Sequence, residues 1–335
     1  MTLDDRVRAL ASLHLTPRQT RFVALVALHS GYCLRRQYLT FAGLQYGKNV
    51  REFLDGLVTR GLATRFAYRR DRGYLYHLSA RSLYRAIDQE ENRNRRHTSP
   101  ALIARKLMVL DYVLGHHERE WYATEQDKVA LFTARFDVAI GDLPHRVYTA
   151  TDGVAGPTTR YFVQKLPIYL EGEPPVVHFV HLVTDETGRG FEQFLIDHAR
   201  LLARLPAWAI DAVGAGPVDG LSACQQVFQA FTAGAAAPTS GDLTDVQWFF
   251  ETRRLVDAGQ LGGLSVADLN RFRDARSKFN APAIARLYAR WLVDGDGALS
   301  RPAADRSSTA ARPGRLVIEQ LPGQYAEFAA LAGVV

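Results

Sequence analysis

Hydrophobic positions in the first eighty residues follow a helical period three times and then switch to alternation. After Thr16-Pro17-Arg18-Gln19, in which Thr caps, Pro takes the first helical position and Gln returns the capping bond, Phe22, Val23, Val26 and Ala27 recur at helical spacing until Gly31 stops them. Leu34 to Leu44 reads as a second, shorter helix, with Tyr38, Leu39, Phe41 and Ala42 inward and Arg35, Arg36 and Gln37 outward. Gly43 and Gly47 bracket a tight turn that carries Gln45 and Tyr46. Lys48 opens a third helix with the stripe Val50, Phe53, Leu54, Leu57 and Val58, closed by Arg60-Gly61. Leu62, Thr64, Phe66 and Tyr68 then share one face of a strand, Arg69 to Gly73 make a turn, and Tyr74, Tyr76 and Leu78 share a face on the return.

Helix, short helix, turn, helix and hairpin is the order of a winged helix-turn-helix, expected here over residues 1–88. Such a unit lays its third helix in the major groove of double-stranded DNA and its wing along the backbone or into the minor groove. Lys48, Asn49 and Arg51 occupy the first turn of the third helix, Gln45 and Tyr46 the turn before it, and Arg69, Arg70 and Arg72 the wing tip. With Arg35 and Arg36 of the second helix, these residues are the candidate DNA contacts. The alternative for the same residues is a protein-interaction module in which Lys48, Asn49 and Arg51 cap and solubilise a helix.

Charge sharpens the first reading. Residues 1–99 hold 18 Lys plus Arg against 8 Asp plus Glu, or +10, whereas residues 100–335 hold 23 against 27, or −4. A positive block confined to one segment is an electrostatic footprint for a polyanion, because each phosphate neutralised releases condensed counterions. An arginine-rich solvated surface is the plainer explanation of the same numbers.

Residues 89–99 (QEENRNRRHTS from Gln89) are polar and read as a linker, in which Arg93, Arg95 and Arg96 either extend the phosphate footprint or simply solvate the chain. Ser99-Pro100 caps a long helix through Leu102, Ile103, Leu107, Leu110, Val113 and Leu114. Strand-like runs follow at Arg146 to Thr149, Thr159 to Lys165, Pro167 to Leu170 and Val176 to Val183, the last a central buried strand. An amphipathic helix from Phe191 to Leu202, a strand from Trp208 to Val213 and a helix from Leu221 to Phe231 complete an α/β sheet domain over 100–235, expected to dimerise the protein or sense a signal. Residues 236–335 read as a helical C-terminal region with a flexible stretch near 294–314, a last strand candidate from Leu316 to Glu319 and a short helix from Tyr325 to Leu331. The fold class expected is therefore α+β or α/β.

The LTPRQ opening, the three helices with their hairpin, and the later LVTDETGRGFEQFLIDHARLLARL resemble the replication-relaxation proteins of mobile elements over roughly residues 15 to 235. That resemblance implies a winged helix-turn-helix fused to a domain akin to the PD-(D/E)XK nuclease fold, acting in plasmid or element regulation. A nuclease of that type holds Mg²⁺ between two carboxylates and uses a Glu-x-Lys lysine beside the attacking water. Here Val183-Thr184-Asp185-Glu186 ends a strand, no Glu-x-Lys follows, and Lys165 lies on an earlier strand, so the set is incomplete and the domain is expected to be degenerate. Glu171, Asp185 and Glu186 are the remaining acidic residues that a metal would need to gather.

Other chemistry is sparse. No G-x-S-x-G, Walker or H-E-x-x-H pattern occurs. Adjacent His116 and His117 point about 100° apart on a helix and do not share an ion, and His178 and His181, three apart on a strand, face opposite ways. Cys33 and Cys224 make no disulfide framework and read as packing residues. With 47% apolar residues, no apolar leader and no run long enough for a membrane span, the expectation is a cytoplasmic, noncatalytic regulator of transcription that binds double-stranded DNA as a homodimer, with no metal or cofactor. A metal-dependent nuclease and a protein-interaction adaptor are the rival readings.

Overall fold

The computed structural model describes residues 1–45, 47–68, 73–148, 158–215, 219–232, 243–279, 282–300, 314–323, 325 and 328. It is a mixed assembly of helices and several sheets, an α+β arrangement. Helix α1 (Leu3–Ala9) and helix α2 (Pro17–His29) both begin with capping boxes, Thr2 with Asp5 and Thr16 with Gln19. Between α2 and α3 (Arg35–Ala42) the chain makes a strand, β1 (Tyr32–Leu34). Helix α4 (Lys48–Thr59) and the hairpin β2 (Ala63–Ala67) and β3 (Tyr74–Leu78) follow.

The three strands pair antiparallel in the order β1-β3-β2. Leu75 and His77 are buried together with Tyr76 and Leu78, not only the one face that alternation predicts, and the second face is covered at His77 by the Tyr32 ring at 4.1 Å and by Asn94 O, 3.0 Å from Nε2. Gln37 is likewise inside: its Oε1 accepts from Leu34 N at 2.8 Å and its Nε2 donates to Leu107 O at 3.0 Å. The outward placement expected of Gln37 fails because α3 is covered by a second helix.

That helix is α6 (Pro100–Gly115), reached through α5 (Arg81–Ala86). The stretch 89–99, expected as a linker, is largely at the surface but pinned to the N-terminal core at one residue. Asn94 is buried, and its Nδ2 donates to Ala27 O at 3.1 Å and Leu28 O at 2.9 Å, satisfying carbonyls in the last turn of α2. Hydrophobic contact is continuous from Phe22 and Leu54 through Leu107 and Leu110 to Tyr169, Val180 and Val213, so α6 belongs to the core on both sides of the expected boundary.

The larger sheet has the order β10-β9-β8-β7-β4, built from β4 (Trp121–Tyr122), β7 (Ile168–Glu171), β8 (Val176–Val183), β9 (Trp208–Gly214) and β10 (Arg315–Gln320). Strands β4, β7 and β8 are antiparallel neighbours; β8, β9 and β10 run parallel, with α8 (Arg189–Arg204) as the crossover between β8 and β9. Strand β8 is central and buried, as its apolar run predicts. Helix α6 covers one face; α8 and α9 (Asp219–Thr232) cover the other through Phe191, Phe194, Leu221 and Cys224. Helix α7 (Glu125–Ala130) and a two-stranded ribbon, β5 (His145–Tyr148) with β6 (Thr158–Tyr161), sit beside this sheet.

Helices α10 (Leu243–Asp257), α11 (Val266–Lys278) and α12 (Pro282–Asp294) form a third core around Phe249, Phe250, Phe272, Tyr288 and Trp291. A short helix α13 (Gly297–Ser300) falls where a flexible stretch was expected; residues 301–313 of that stretch lie outside the described residues. Strand β10 then covers the open edge of β9, and Tyr325 and Phe328 beyond it join the first core. No helix among the described residues is long and apolar enough to cross a membrane.

Candidate nucleic-acid interface

The exposed face of α4 follows from its buried one. Val50, Phe53, Leu54 and Leu57, spaced three, four and seven apart, are all buried. Phe53 is fixed by aromatic contacts, 4.6 Å from the Tyr38 ring and 6.3 Å from Phe22. Lys48, Asn49, Arg51 and Glu52 are consequently left in solvent, on the first turn after Gly47. Gly47 has extended backbone and no side chain to cap the helix, so the N–H groups of that turn point outward without a side-chain acceptor from it.

The hairpin is tied to the middle of this helix. Asp55 accepts from Arg65 Nη1 at 2.9 Å and from the Tyr76 hydroxyl at 3.4 Å, and the Arg65 guanidinium lies 4.5 Å above the Tyr74 ring. Tyr68 N donates to Gly73 O at 3.1 Å, so the two strands stay paired up to the tip. The tip itself, with Arg69, Arg70 and Arg72, lies outside the described residues, as does Tyr46.

The remaining expected contacts divide. Gln45 is exposed in the turn before α4, beside Lys48, Asn49 and Arg51. Arg18, which sequence reasoning used only as a capping neighbour, donates from Nη1 to Ala42 O at 2.8 Å and so brings a cation to the start of the same turn. Arg36 goes elsewhere: its Nη1 and Nη2 both bond the Asp111 carboxylate of α6 at 2.8 Å, and the Tyr325 ring lies 5.6 Å from the guanidinium. Arg35 is half-buried against Tyr76, whose hydroxyl is pushed up by burial with the Arg35 hydrogen bond opposing. Arg36 thus holds the unit to α6 and Arg35 braces it internally against β3, and the cations on the open face come from α2, α4 and β2. Glu52, 3.5 Å from Lys48, and Asp55 moderate that face's charge.

The acidic residues weighed as a metal site are not brought together. Glu171 is in register with Val176 at the start of β8, whereas Asp185 follows the end of that strand, a separation of about 20 Å or more at the usual rise per residue. Asp185 instead accepts from Thr187 N at 3.0 Å, Thr187 Oγ1 at 2.9 Å and Gly190 N at 3.3 Å, shaping the turn into α8. No group of three or more His, Cys, Asp or Glu among the described residues is arranged to hold a metal ion. His116 pairs with Glu319 at 3.1 Å and His117 sets its ring 5.0 Å from Phe41 at 77°, so the adjacent histidines serve different neighbours.

Sequence reasoning passed over a polar seam between α6 and the large sheet. Asp211, fully buried in β9, accepts from the Tyr112 hydroxyl at 2.7 Å and lies 3.0 Å from His178 Nδ1, which is 2.8 Å from the Tyr169 hydroxyl. Burial raises the Asp211 carboxyl, but the hydrogen bonds from His178, Tyr112 and Tyr169 outweigh it and hold the group below its usual range. Toward solvent the seam continues through Arg119, 4.2 Å from the Tyr169 ring, to Glu171 and Arg315. Its sequence signal was a single acidic residue inside the otherwise uncharged strand Trp208-Ala209-Ile210-Asp211-Ala212-Val213.

No known protein family, curated protein or solved structure matches the chain.

Proposed function

We propose that the chain is a sequence-specific double-stranded DNA-binding regulator of transcription, built on a winged helix-turn-helix in which α4 reads bases and the β2–β3 hairpin follows the backbone. The observation that carries the reading is the N-terminal unit itself. Its helix–strand–helix–helix–strand–strand order, paired β1-β3-β2, leaves one face of one helix bare, and that face presents Lys48, Asn49 and Arg51. Asn pairs bidentately with adenine and Arg with guanine in the major groove, and Lys reaches phosphate or guanine. The hairpin beside it ends in a tip whose sequence is Arg69-Arg70-Asp71-Arg72, suited to phosphates.

The anchoring of α4 supports the same reading, because base recognition requires a helix whose orientation is fixed. The Phe22, Tyr38 and Phe53 rings beneath it and the Asp55–Arg65 pair beside it provide that fixity. A homodimer, joined through the sheet unit, would set two α4 helices on half-sites about 34–36 Å apart. Control of a mobile element or of its own operon is the role that fits such a protein.

The test is selection of bound fragments from sheared genomic DNA of the source organism at about 150 mM salt, where nonspecific phosphate contacts are already weakened. Recovery of a few sites with inverted half-sites is the expected result. Uniform recovery across the genome would overturn base reading by α4, and single half-sites would overturn the dimer.

A further inference from the structure

A second concentration of positive charge lies away from α4, where α6, α7 and the turn between β6 and β7 meet. Lys128, 1% exposed, sends Nζ to Leu166 O at 2.7 Å and lies 5.8 Å from the Phe162 ring. Lys106 sends Nζ to Ser30 O at 3.0 Å and Asn94 Oδ1 at 2.7 Å. The acceptors of both lysines are neutral, which is a costly way to bury a charge. Lys165 closes the turn that follows β6, its N–H donating to Phe162 O at 2.8 Å. Both Phe162 and Lys165 hold left-handed backbone there, at φ +48° and +56°, a conformation that non-glycine residues adopt rarely and that is over-represented where a side chain must be aimed.

The rim of this cluster is exposed. Arg160 reaches no closer than 3.9 Å to Glu125 Oε2, and the other oxygen of Glu125 is occupied by Tyr161 N at 2.8 Å. Arg93 is exposed beside the buried Asn94 that holds Lys106. These groups repel one another. Burial first, and then repulsion from Lys165, lowers Lys106 to about 8 and Lys128 to about 7, and burial followed by repulsion from Arg93 lowers Lys165. Five cations from four separate segments thus gather where two carboxylates are at hand, Glu125 and Asp127, the latter already paired with Arg6 at 3.0 Å.

We propose that this cluster is a binding site for a phosphate-bearing anion, with Lys165, Arg160 and Arg93 donating to its oxygens at the rim and Lys106 and Lys128 supplying charge from beneath. A phosphoryl group fits better than a carboxylate, since it carries more charge and offers three oxygens to donors arriving from different directions. The phosphate belongs either to a nucleic-acid backbone or to a free diphosphate-like ligand. The site shares no residue with the α4 face, so it stands or falls apart from the DNA reading proposed above.

The experiment uses the full chain and compares the melting temperature in sodium pyrophosphate with that in sodium chloride at matched ionic strength, for the wild type and the double variant Arg160→Gln/Lys165→Gln. The wild type is expected to gain a saturable rise in pyrophosphate alone. The variant, altered at two exposed positions, is expected to melt with the wild type in chloride and to bind pyrophosphate at least tenfold more weakly. Titration of a nonspecific duplex against salt assigns the source. A variant slope lower by about 1 to 2, near 0.9 for each phosphate left unneutralised, points to backbone phosphate, and an unchanged slope with no pyrophosphate response in the variant points to a free ligand. The proposal is overturned if pyrophosphate acts on both proteins alike, or if the wild type shows no pyrophosphate response and the two duplex slopes coincide.

Discussion

Replacing Asp211 with alanine should destabilise the sheet unit more than any other single change in the polar seam. The carboxylate is fully buried and accepts the Tyr112 hydroxyl at 2.7 Å and the His178 Nδ1 contact at 3.0 Å. Its removal strands two buried donors, each worth about 1–3 kcal/mol when left unpaired. It also breaks the interaction of a fully buried charge, a class of change that costs about 3–5 kcal/mol. Tyr112→Phe deletes one bond to the same carboxylate and leaves the His178 partner in place, so it should cost about 1.5–3 kcal/mol. Urea unfolding followed by tryptophan fluorescence reads both, because Trp208 lies in β9 and the Trp121 ring is 5.1 Å from that of Tyr169. The pH dependence has a definite sign. Asp211 is held below its unfolded value, so its stabilisation is complete above about pH 4 and fades as the pH falls through the lower folded value. The gap between wild type and Asp211→Ala should therefore be largest near neutrality and shrink in acid. A loss under about 1 kcal/mol at pH 7, or one no larger than that of Tyr112→Phe, would refute the claim that this carboxylate ties α6 to the sheet.

Three further outcomes follow from the packing. Arg6→Ala removes a two-bond pair with Asp127, 3.0 Å at each contact, and should cost about 2–3 kcal/mol, short of a fully buried pair because Asp127 keeps some contact with water. Burial raises Asp127, but Arg6 and Thr124 outweigh it and lower the group, so this loss too should be full above about pH 4 and fade as the pH falls through the lower folded value, as urea midpoints measured across pH will show. Gly31→Ala should cost at least about 2 kcal/mol in urea unfolding, since φ is +78° and an added Cβ would lie 2.2 Å from Asn94 O. Cys33 and Cys224, both buried with thiols pushed up to about 12, should resist iodoacetamide at pH 8 until the protein unfolds; rapid labelling of the native chain would contradict their placement.

The elements legible in the sequence are those with a sustained period. Helices α2 and α4, strand β8 and helix α8 are marked by apolar stripes or an unbroken apolar run, and the helix ends stand where Thr16 and Pro17 or Gly61 put them. Strand β1 is not legible, because three buried residues, Tyr32, Cys33 and Leu34, carry no period and their partners His77, Tyr76 and Leu75 in β3 lie more than forty residues on. Asn94 shows the same limit in polar form. Within a run of arginines and glutamates it reads as solvent-facing, and only the folded chain reveals that it caps the carbonyls of α2. For Arg36, a place on an amphipathic helix fixes the side it points to but not that Asp111 stands there.

The central claim is that α4 reads sequence through Asn49 and Arg51. The most direct measurement is titration of wild type, Asn49→Ala and Arg51→Ala against a selected site and a scrambled duplex of equal length, at about 150 mM salt. Each substitution should weaken binding to the selected site by about 1–3 kcal/mol while leaving the scrambled duplex nearly unchanged. Equal weakening on both duplexes, or none on either, would contradict base reading by this helix.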